Sequence, residues 1–211
     1  MSNKIQRIAE RLQLLFSSTD TLRKRWPMAP QLEEIHIKNC KVVTDRWKMV
    51  DELPKGGVCA ELGIWKCDFS EFIFQTLQPE KLHLIDIDSK SIQIALDKFS
   101  GEIDRGEVQV HHSDSSAALL SMPDQYFDWI YIDGDHQYHG VKKDLMAAHE
   151  KLSPSGLISL NDYIFFGSSD LTKYGVVEAV NEFCVNFDYE IVFMALHGRM
   201  YNDVTLRRID D

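Results

Sequence analysis

Between Val58 and Leu160 the chain alternates short apolar runs with amphipathic stretches. Val58–Leu62, Lys81–Ile87, Val108–His111, Trp129–Ile132 and Leu157–Leu160 each have the length and composition of a strand, and Asp68–Gln78 and Ser89–Phe99 repeat apolar residues at helical spacing. Several runs lack strict in–out alternation, as expected of strands covered on both faces. Strand and helix in alternation predict an α/β fold with a doubly wound, mostly parallel sheet and right-handed crossovers. The end of the chain breaks the rhythm. Val176–Phe187 reads as a helix, but Glu190–Met194 and Asp203–Arg207 follow without a helix between them, which predicts an antiparallel C-terminal strand pair at the sheet edge.

The N-terminal part has a different texture. Ile5, Ile8, Leu12 and Leu15 form the stripe of an amphipathic helix over Ile5–Phe16, and a second, interrupted helical tract is expected from Pro30 to Leu53. Pro54, Lys55, Gly56 and Gly57 then form the one strong internal boundary. The expected organisation is an N-terminal helical addition over 1–54, serving as lid or interface, and a main domain over 55–211. The apolar stripe also makes a homo-oligomer through these helices an expectation.

Charge sharpens this division. The 211 residues carry 23 Lys and Arg against 33 Asp and Glu, a formal net charge of −10. Residues 1–50 hold 10 basic and 5 acidic side chains, net +5, which leaves −15 for the remainder. An acidic body disfavours nucleic acid as a partner, since phosphate contacts need clustered Lys and Arg. With 44% hydrophobic residues the chain can build an ordinary core, which excludes a disordered or disulfide-stapled scaffold. Cys40, Cys59, Cys67 and Cys184 have no zinc-ligand spacing and read as thiols of a reducing compartment. No apolar run approaches the roughly 20 residues that span a bilayer, and no secretory signal is evident, so no membrane association and a cytoplasmic location are expected.

In an open parallel sheet, ligands bind beyond the carboxyl ends of the strands. Those ends are acidic five times over: Glu61-Leu62-Gly63, Asp86-Ile87-Asp88, Ser113-Asp114-Ser115, Asp133-Gly134-Asp135-His136 and Asn161-Asp162-Tyr163. A dinucleotide loop would need glycines where Trp65 and Asp68 stand, and no phosphate-binding Gly-rich loop ending in Lys occurs. Carboxylates suit a ligand with ribose hydroxyls, an adenine amino group and a positive centre. Asp86, 25 residues after Glu61, is placed to accept hydrogen bonds from a ribose diol, and Asp114 to serve the base.

These motifs, together with Phe127-Asp128-Trp129-Ile130-Tyr131-Ile132-Asp133, Leu152-Ser153-Pro154-Ser155-Gly156-Leu157 and Tyr174-Gly175-Val176-Val177-Glu178-Ala179-Val180-Asn181-Glu182-Phe183, resemble the class I S-adenosylmethionine-dependent methyltransferases. The pattern looks most like the metal-dependent small-molecule O-methyltransferase branch that includes enzymes acting on macrolide and aminocoumarin sugars. The resemblance implies a Rossmann-like fold and S-adenosyl-L-methionine as cofactor. It further implies that Glu61 and Gly63 line the methionine end of the cofactor, that Asp86 holds the ribose, that Asp114 and Ser115 border the adenine, and that Asp133 also touches the cofactor. Cys67 stands where that family usually has glycine, which puts the local backbone geometry in question.

Asp133 and Asp162 are 29 positions apart, one strand–helix–strand crossover, which brings their loops side by side. With Asn161 they offer hard oxygen donors of the kind Mg2+ takes. In the resembled branch these three positions bind the metal, and a His three residues after the first Asp acts as base; here that residue is His136. Asn161 replaces an acidic residue and removes one charge from such a site. Tyr138 and His139 are fallback bases, and Tyr163, Phe165, Phe166 and Tyr174 are candidate walls for a small-molecule methyl acceptor. Asn161-Asp162-Tyr163 lacks the prolines of the base-methylase signature and follows the wrong strand for it. A non-catalytic nucleoside-binding protein and an NAD-dependent oxidoreductase are the competing readings.

Overall fold

The computed structural model describes residues 28–167 and 172–209. The expected helix over Ile5–Phe16 lies outside them. Ten strands are described: β1 (Lys41–Val43), β2 (Val58–Leu62), β3 (Lys81–Asp86), β4 (Val108–His112), β5 (Phe127–Ile132), β6 (Leu152–Leu160), β7 (Phe166–Gly167), β8 (Thr172–Lys173), β9 (Tyr189–Ala195) and β10 (Asp203–Arg208). Eight of them form one sheet in the order β1-β9-β10-β6-β5-β2-β3-β4, and β7 pairs with β8 alone. β4, β3, β2, β5 and β6 run parallel, while β10 is antiparallel to both β6 and β9. The fold is the expected mostly parallel α/β sheet with an antiparallel strand pair.

Two hydrophobic clusters lie on the two faces of this sheet, because central strands bury both sets of side chains. Ile130, Ile132, Ile158 and Leu160 pack under α5 (Ser115–Leu120), α6 (Tyr138–Lys151) and α7 (Val176–Phe187). Cys59, Leu82, Leu84, Trp129 and Tyr131 pack under α1 (Arg46–Asp51), α2 (Asp68–Leu77) and α3 (Ser89–Lys98). A short helix α4 (Ser100–Asp104) leads into β4.

The structure corrects the reading of Pro30 to Leu53. In place of a helical tract there is a 3-10 turn at Glu34–His36, then β1, and only six residues of α-helix in α1. The apolar residues Val42 and Val43, which lie inside the expected helical tract, belong to a strand, which pairs parallel with β9 through Lys41↔Phe193 and Val43↔Ala195. β-branched neighbours favour that outcome when a sheet edge is available. The terminal hairpin is therefore covered by β1 and is not itself the edge.

Candidate active site

The strand-end carboxylates divide into two groups. Asp88 accepts from Ser91 N at 3.2 Å and caps α3, Asp114 accepts from Ala117 N at 3.1 Å and caps α5, and Asp135 accepts from Gln137 N at 2.9 Å just before α6. These satisfy orphan amides at helix starts. Asp114 also receives Lys143 Nζ at 2.9 Å and Ser116 Oγ at 2.8 Å, and the Lys143 bond leads in holding its carboxyl down at about 2. Ser115 is turned to Asp144, donating to Oδ1 at 2.6 Å.

Asp86 fastens the loop after β2. Its Oδ2 accepts from Ile64 N at 2.9 Å and Trp65 N at 3.4 Å, and its Oδ1 from Asp88 N at 2.8 Å. Gly63 has φ +85, and a Cβ there would stand 2.3 Å from Asp133 O, so only glycine lets this loop lie against the end of β5. Cys67 adopts φ 60 and ψ 21 at the start of α2, a left-handed conformation that a glycine adopts freely. The departure from the family pattern is thus accommodated with backbone strain. Gly63, Trp65, Asp86, Ile87, Asp114, Ser115 and Asp133 line one cavity of about 630 Å³. It brings together the residues expected around the cofactor, except Glu61, which lies beneath it.

Glu61 is 2% exposed, and among the described residues its Oε2 has no hydrogen-bond partner. Burial pushes its carboxyl up to about 8, with Asp133 and Asp86 adding to the shift.

A second cavity of about 380 Å³ is lined by Arg46, Trp47, Asn161, Asp162, His197 and Asp203, among others. One acid from the lining of each cavity faces His136, whose buried Nε2 is 3.5 Å from Asp133 Oδ1 and 3.3 Å from Asp162 Oδ2. Burial opposes the charged ring, but Asp133 foremost, then Asp162 and Asn161, outweigh it and hold His136 above its ordinary value. Asp162, at φ 57, is itself raised to about 6, chiefly by burial and then, against the pull of His136, by Asp133. His136 is held from behind. Gly175 N donates to its carbonyl at 2.8 Å, a Cβ on Gly175 would stand 2.1 Å from Tyr138 N, and the Tyr174 ring lies 5.0 Å from the imidazole.

Two residues lining the second cavity escaped the sequence reading. Asp203, at the start of β10, accepts from Tyr131 Oη at 2.6 Å and from Asn161 Nδ2 at 3.1 Å, and burial lifts its carboxyl to about 7. Arg46, in α1, places Nη1 3.9 Å from Asp133 Oδ2 and its guanidinium 4.4 Å over Phe69. Burial works against its charge, yet the fields of Tyr131, Asp203 and Asp133 keep it protonated. No local motif marks either residue; the only hint was the change of charge sign near residue 50.

The expected magnesium donors do not form a cation site as placed. Asp133 is engaged by His136 and Arg46, Asp162 by His136, and Asn161 gives its amide to Asp203. Among the described residues no group of three or more His, Cys, Asp or Glu is arranged to hold a metal ion. The fallback Tyr138 is committed to Glu182 and Lys142, and Tyr163 donates to Asn181 at 2.6 Å, so neither faces the site.

This arrangement, with a cavity at the carboxyl ends of β2 to β5, is the Rossmann-like fold of the class I S-adenosylmethionine-dependent methyltransferases. Residues 60–163, about half of the chain, match a family model described as a methyltransferase domain. Among solved structures, the chain is similar to the pyocyanin biosynthetic protein PhzM at 13% identity and a TM-score of 0.60, covering 77% of this chain and 54% of that one. TrmK of M. capricolum, solved with S-adenosyl-homocysteine, shares 15% identity at a TM-score of 0.58, with 79% and 69% of the two chains covered. An S-adenosylmethionine-dependent methyltransferase from Aquifex aeolicus gives 14%, a TM-score of 0.57, and 78% and 88%. Comparison with curated proteins finds no match. Among the described residues no helix is long and apolar enough to cross a membrane.

Proposed function

We propose that the protein transfers the methyl group of S-adenosylmethionine to a hydroxyl of a small molecule, with His136 as the base that takes the hydroxyl proton. The observation that carries this is the seat of His136 between Asp133, which lines the first cavity, and Asp162, which lines the second. The 630 Å³ cavity receives the cofactor: Asp86 faces the ribose, Asp114 and Ser115 border the base, and Glu61 with Gly63 lies toward the methionine end. The 380 Å³ cavity receives the acceptor. Asp133 and Asp162 orient the imidazole and stabilise the imidazolium formed when the proton arrives. Holding the hydroxyl in line behind the methyl carries the rest of the rate enhancement.

Residues 45–47 of the addition form part of the acceptor wall in this reading, since Asp45, Arg46 and Trp47 line that cavity. A small molecule is favoured over nucleic acid because the net charge of −10 and the carboxylate-rich floor repel phosphates. No magnesium step is included, because the candidate donors are paired with His136, Arg46 and Asp203.

Calorimetry with S-adenosylhomocysteine and methyl transfer to a panel of hydroxylated acceptors test this reading together. His136→Ala is expected to lower turnover by about 10²- to 10⁴-fold, the usual range for a positioned base, and to leave product affinity nearly unchanged. Binding without transfer by the native protein would leave a nucleoside-binding module. Affinity that depends on magnesium, lost in chelator, would restore the cation site.

A further inference from the structure

The turn that joins β9 to β10 reaches the second cavity, and no step of the proposed chemistry uses it. Leu196, His197, Arg199 and Tyr201 line the cavity from this turn, and Trp47 lines it from α1. The turn is fixed in place: His197 N donates to Asn202 Oδ1 at 3.0 Å, Met200 N to His197 O at 2.8 Å, and Tyr163 N to Asn202 O at 2.6 Å, with Asn202 itself buried. Its rings join those beside the base. The His197 and Tyr201 centroids are 6.0 Å apart, those of Tyr201 and Tyr174 6.2 Å, and Tyr174 lies against His136, so ring contacts run unbroken from the cavity lining to the imidazole. Trp47 is anchored by T-shaped contacts with Phe69 at 5.2 Å and Phe72 at 4.7 Å, and is still 40% exposed. Neither Trp47 nor Tyr201 belongs to a hydrophobic cluster. The carboxylates of the same lining are spent on the protein: Asp45 accepts from Lys48 N at 2.8 Å, Asp203 from Tyr131 and Asn161, and Asp162 faces His136. Rings, not carboxylates, are what this lining leaves for a ligand.

We propose that the methyl acceptor carries its hydroxyl on an aromatic ring, and that Trp47 and Tyr201 select it by ring contact. The proposal rests on the methyl-transfer reading given above and names the acceptor class within it. A planar ring buries its area against Trp and Tyr and gains from offset or edge contacts with them. A polyhydroxylated acceptor would instead give up water from several hydroxyls in a cavity whose carboxylates are already bonded. The proton balance points the same way. A hydroxyl on an aromatic ring ionises at about 10, against roughly 15.7 for water, so an imidazole takes its proton more readily. The oxygen forms its bond to the methyl carbon as the carbon–sulfur bond breaks, and the products are an aryl methyl ether and S-adenosylhomocysteine, with the proton on the imidazole.

The test titrates the S-adenosylhomocysteine complex by calorimetry with 2-naphthol and with decahydro-2-naphthol, its fully saturated counterpart, and follows methyl transfer to both from S-adenosylmethionine. The native complex is expected to bind the aromatic alcohol about tenfold more tightly, the size of one or two aromatic contacts, and to methylate it with the higher kcat/KM. Tyr201→Leu and Trp47→Leu are each expected to remove about fivefold of that preference and to leave S-adenosylhomocysteine affinity in place, which separates lost contact from lost fold. Tyr201→Phe keeps the ring and is expected to keep the preference. Equal affinity for the two alcohols, or equal transfer to them, overturns the proposal while leaving methyl transfer intact. A loss in Tyr201→Phe as large as in Tyr201→Leu also overturns it, by assigning the role to the hydroxyl. Preferred binding of 2-naphthol without transfer to either alcohol removes the methyl-transfer reading and the proposal with it.

Discussion

At the ends of β3 and β4, backbone amides satisfy the carboxylates: Asp88 and Asp114 accept from amides three residues on and cap helices, and Asp86 accepts from Asp88 N and from Ile64 N and Trp65 N in the neighbouring loop. At the ends of β5, β6 and β10 the carboxylates face one another instead. Asp133, Asp162 and Asp203 share His136, Arg46, Tyr131 and Asn161, drawn from distant parts of the chain. Local bonding fixes a pocket for a ligand that is the same in every turnover. Burial, with the neighbouring carboxylates adding to it, holds Asp162 and Asp203 raised in pKa, which suits the proton movement of the proposed transfer.

The largest expected effect breaks the seam between the halves. Gly63→Ala adds a Cβ 2.3 Å from Asp133 O at a backbone angle that alanine resists, and a loss of about 3 kcal/mol or more is expected, with cofactor binding impaired. Thermal or denaturant unfolding and calorimetry check both. Unchanged stability would mean that the β2 loop does not lie on β5.

Asp203→Ala should come next. It leaves Tyr131 Oη and Asn161 Nδ2 without their acceptors in a buried site, at a cost of about 2–3 kcal/mol, whereas Asp203→Asn keeps one acceptor oxygen of the two and should cost less. Denaturant titration of the pair checks the order. Destabilisation by Asp203→Ala no greater than by Asp203→Asn would mean that the retained acceptor contributes nothing.

The pH dependence of stability provides a control in the well-bonded region, far from the carboxylate cluster. Burial first, then His111 and Lys81, lowers His83 to about 4. It lies 3.0 Å from His111 Nε2 and 3.2 Å from Tyr126 Oη. The folded state resists protonation that the unfolded chain accepts near pH 6.5. The contribution of His83 is therefore complete above that pH and is lost as pH falls toward 4, by up to about 3 kcal/mol. His83→Gln should flatten this slope in melts across that window; a slope that persists would place its origin elsewhere.

The smallest effect, a displacement along the pH axis, concerns turnover. His136 accepts a proton only when neutral, and its pKa is raised, so turnover should climb with pH and level off above the ordinary imidazole value. Asp133→Asn removes the carboxylate that raises it most, and the rising limb should move to lower pH. A rate profile that stays in place would remove Asp133 as the partner that tunes His136.

Much of this was legible in the chain, and the reason differs by residue. Gly63, Asp86 and Asp114 stand in short motifs because their partners are neighbours in sequence or adjacent strand ends. The meeting of Asp133 with Asp162 followed from the length of one crossover. Arg46 and Asp203 were not legible, since each reaches the site through a strand order that brings β10 against β6 and β9 beside β1. The misreading of Val42 and Val43 has the same source: their pairing partners, Met194 and Ala195, lie about 150 positions away. Local pattern gave them a helix because the sheet edge they join is distant in sequence.

The position of β1 also sets an order of events during synthesis. Among the described residues β1 is bonded to the sheet only through β9, and β9 reaches the parallel strands only through β10. Residues 41–43 therefore leave the ribosome early yet wait until residues 203–208 have appeared before they can dock, and Arg46, just beyond them, waits as well. The contiguous cofactor half, from Glu61 to Ser115, is translated some 88 residues before Asp203. A nascent chain would hold most of the lining of its first cavity well before the acids of the second could meet.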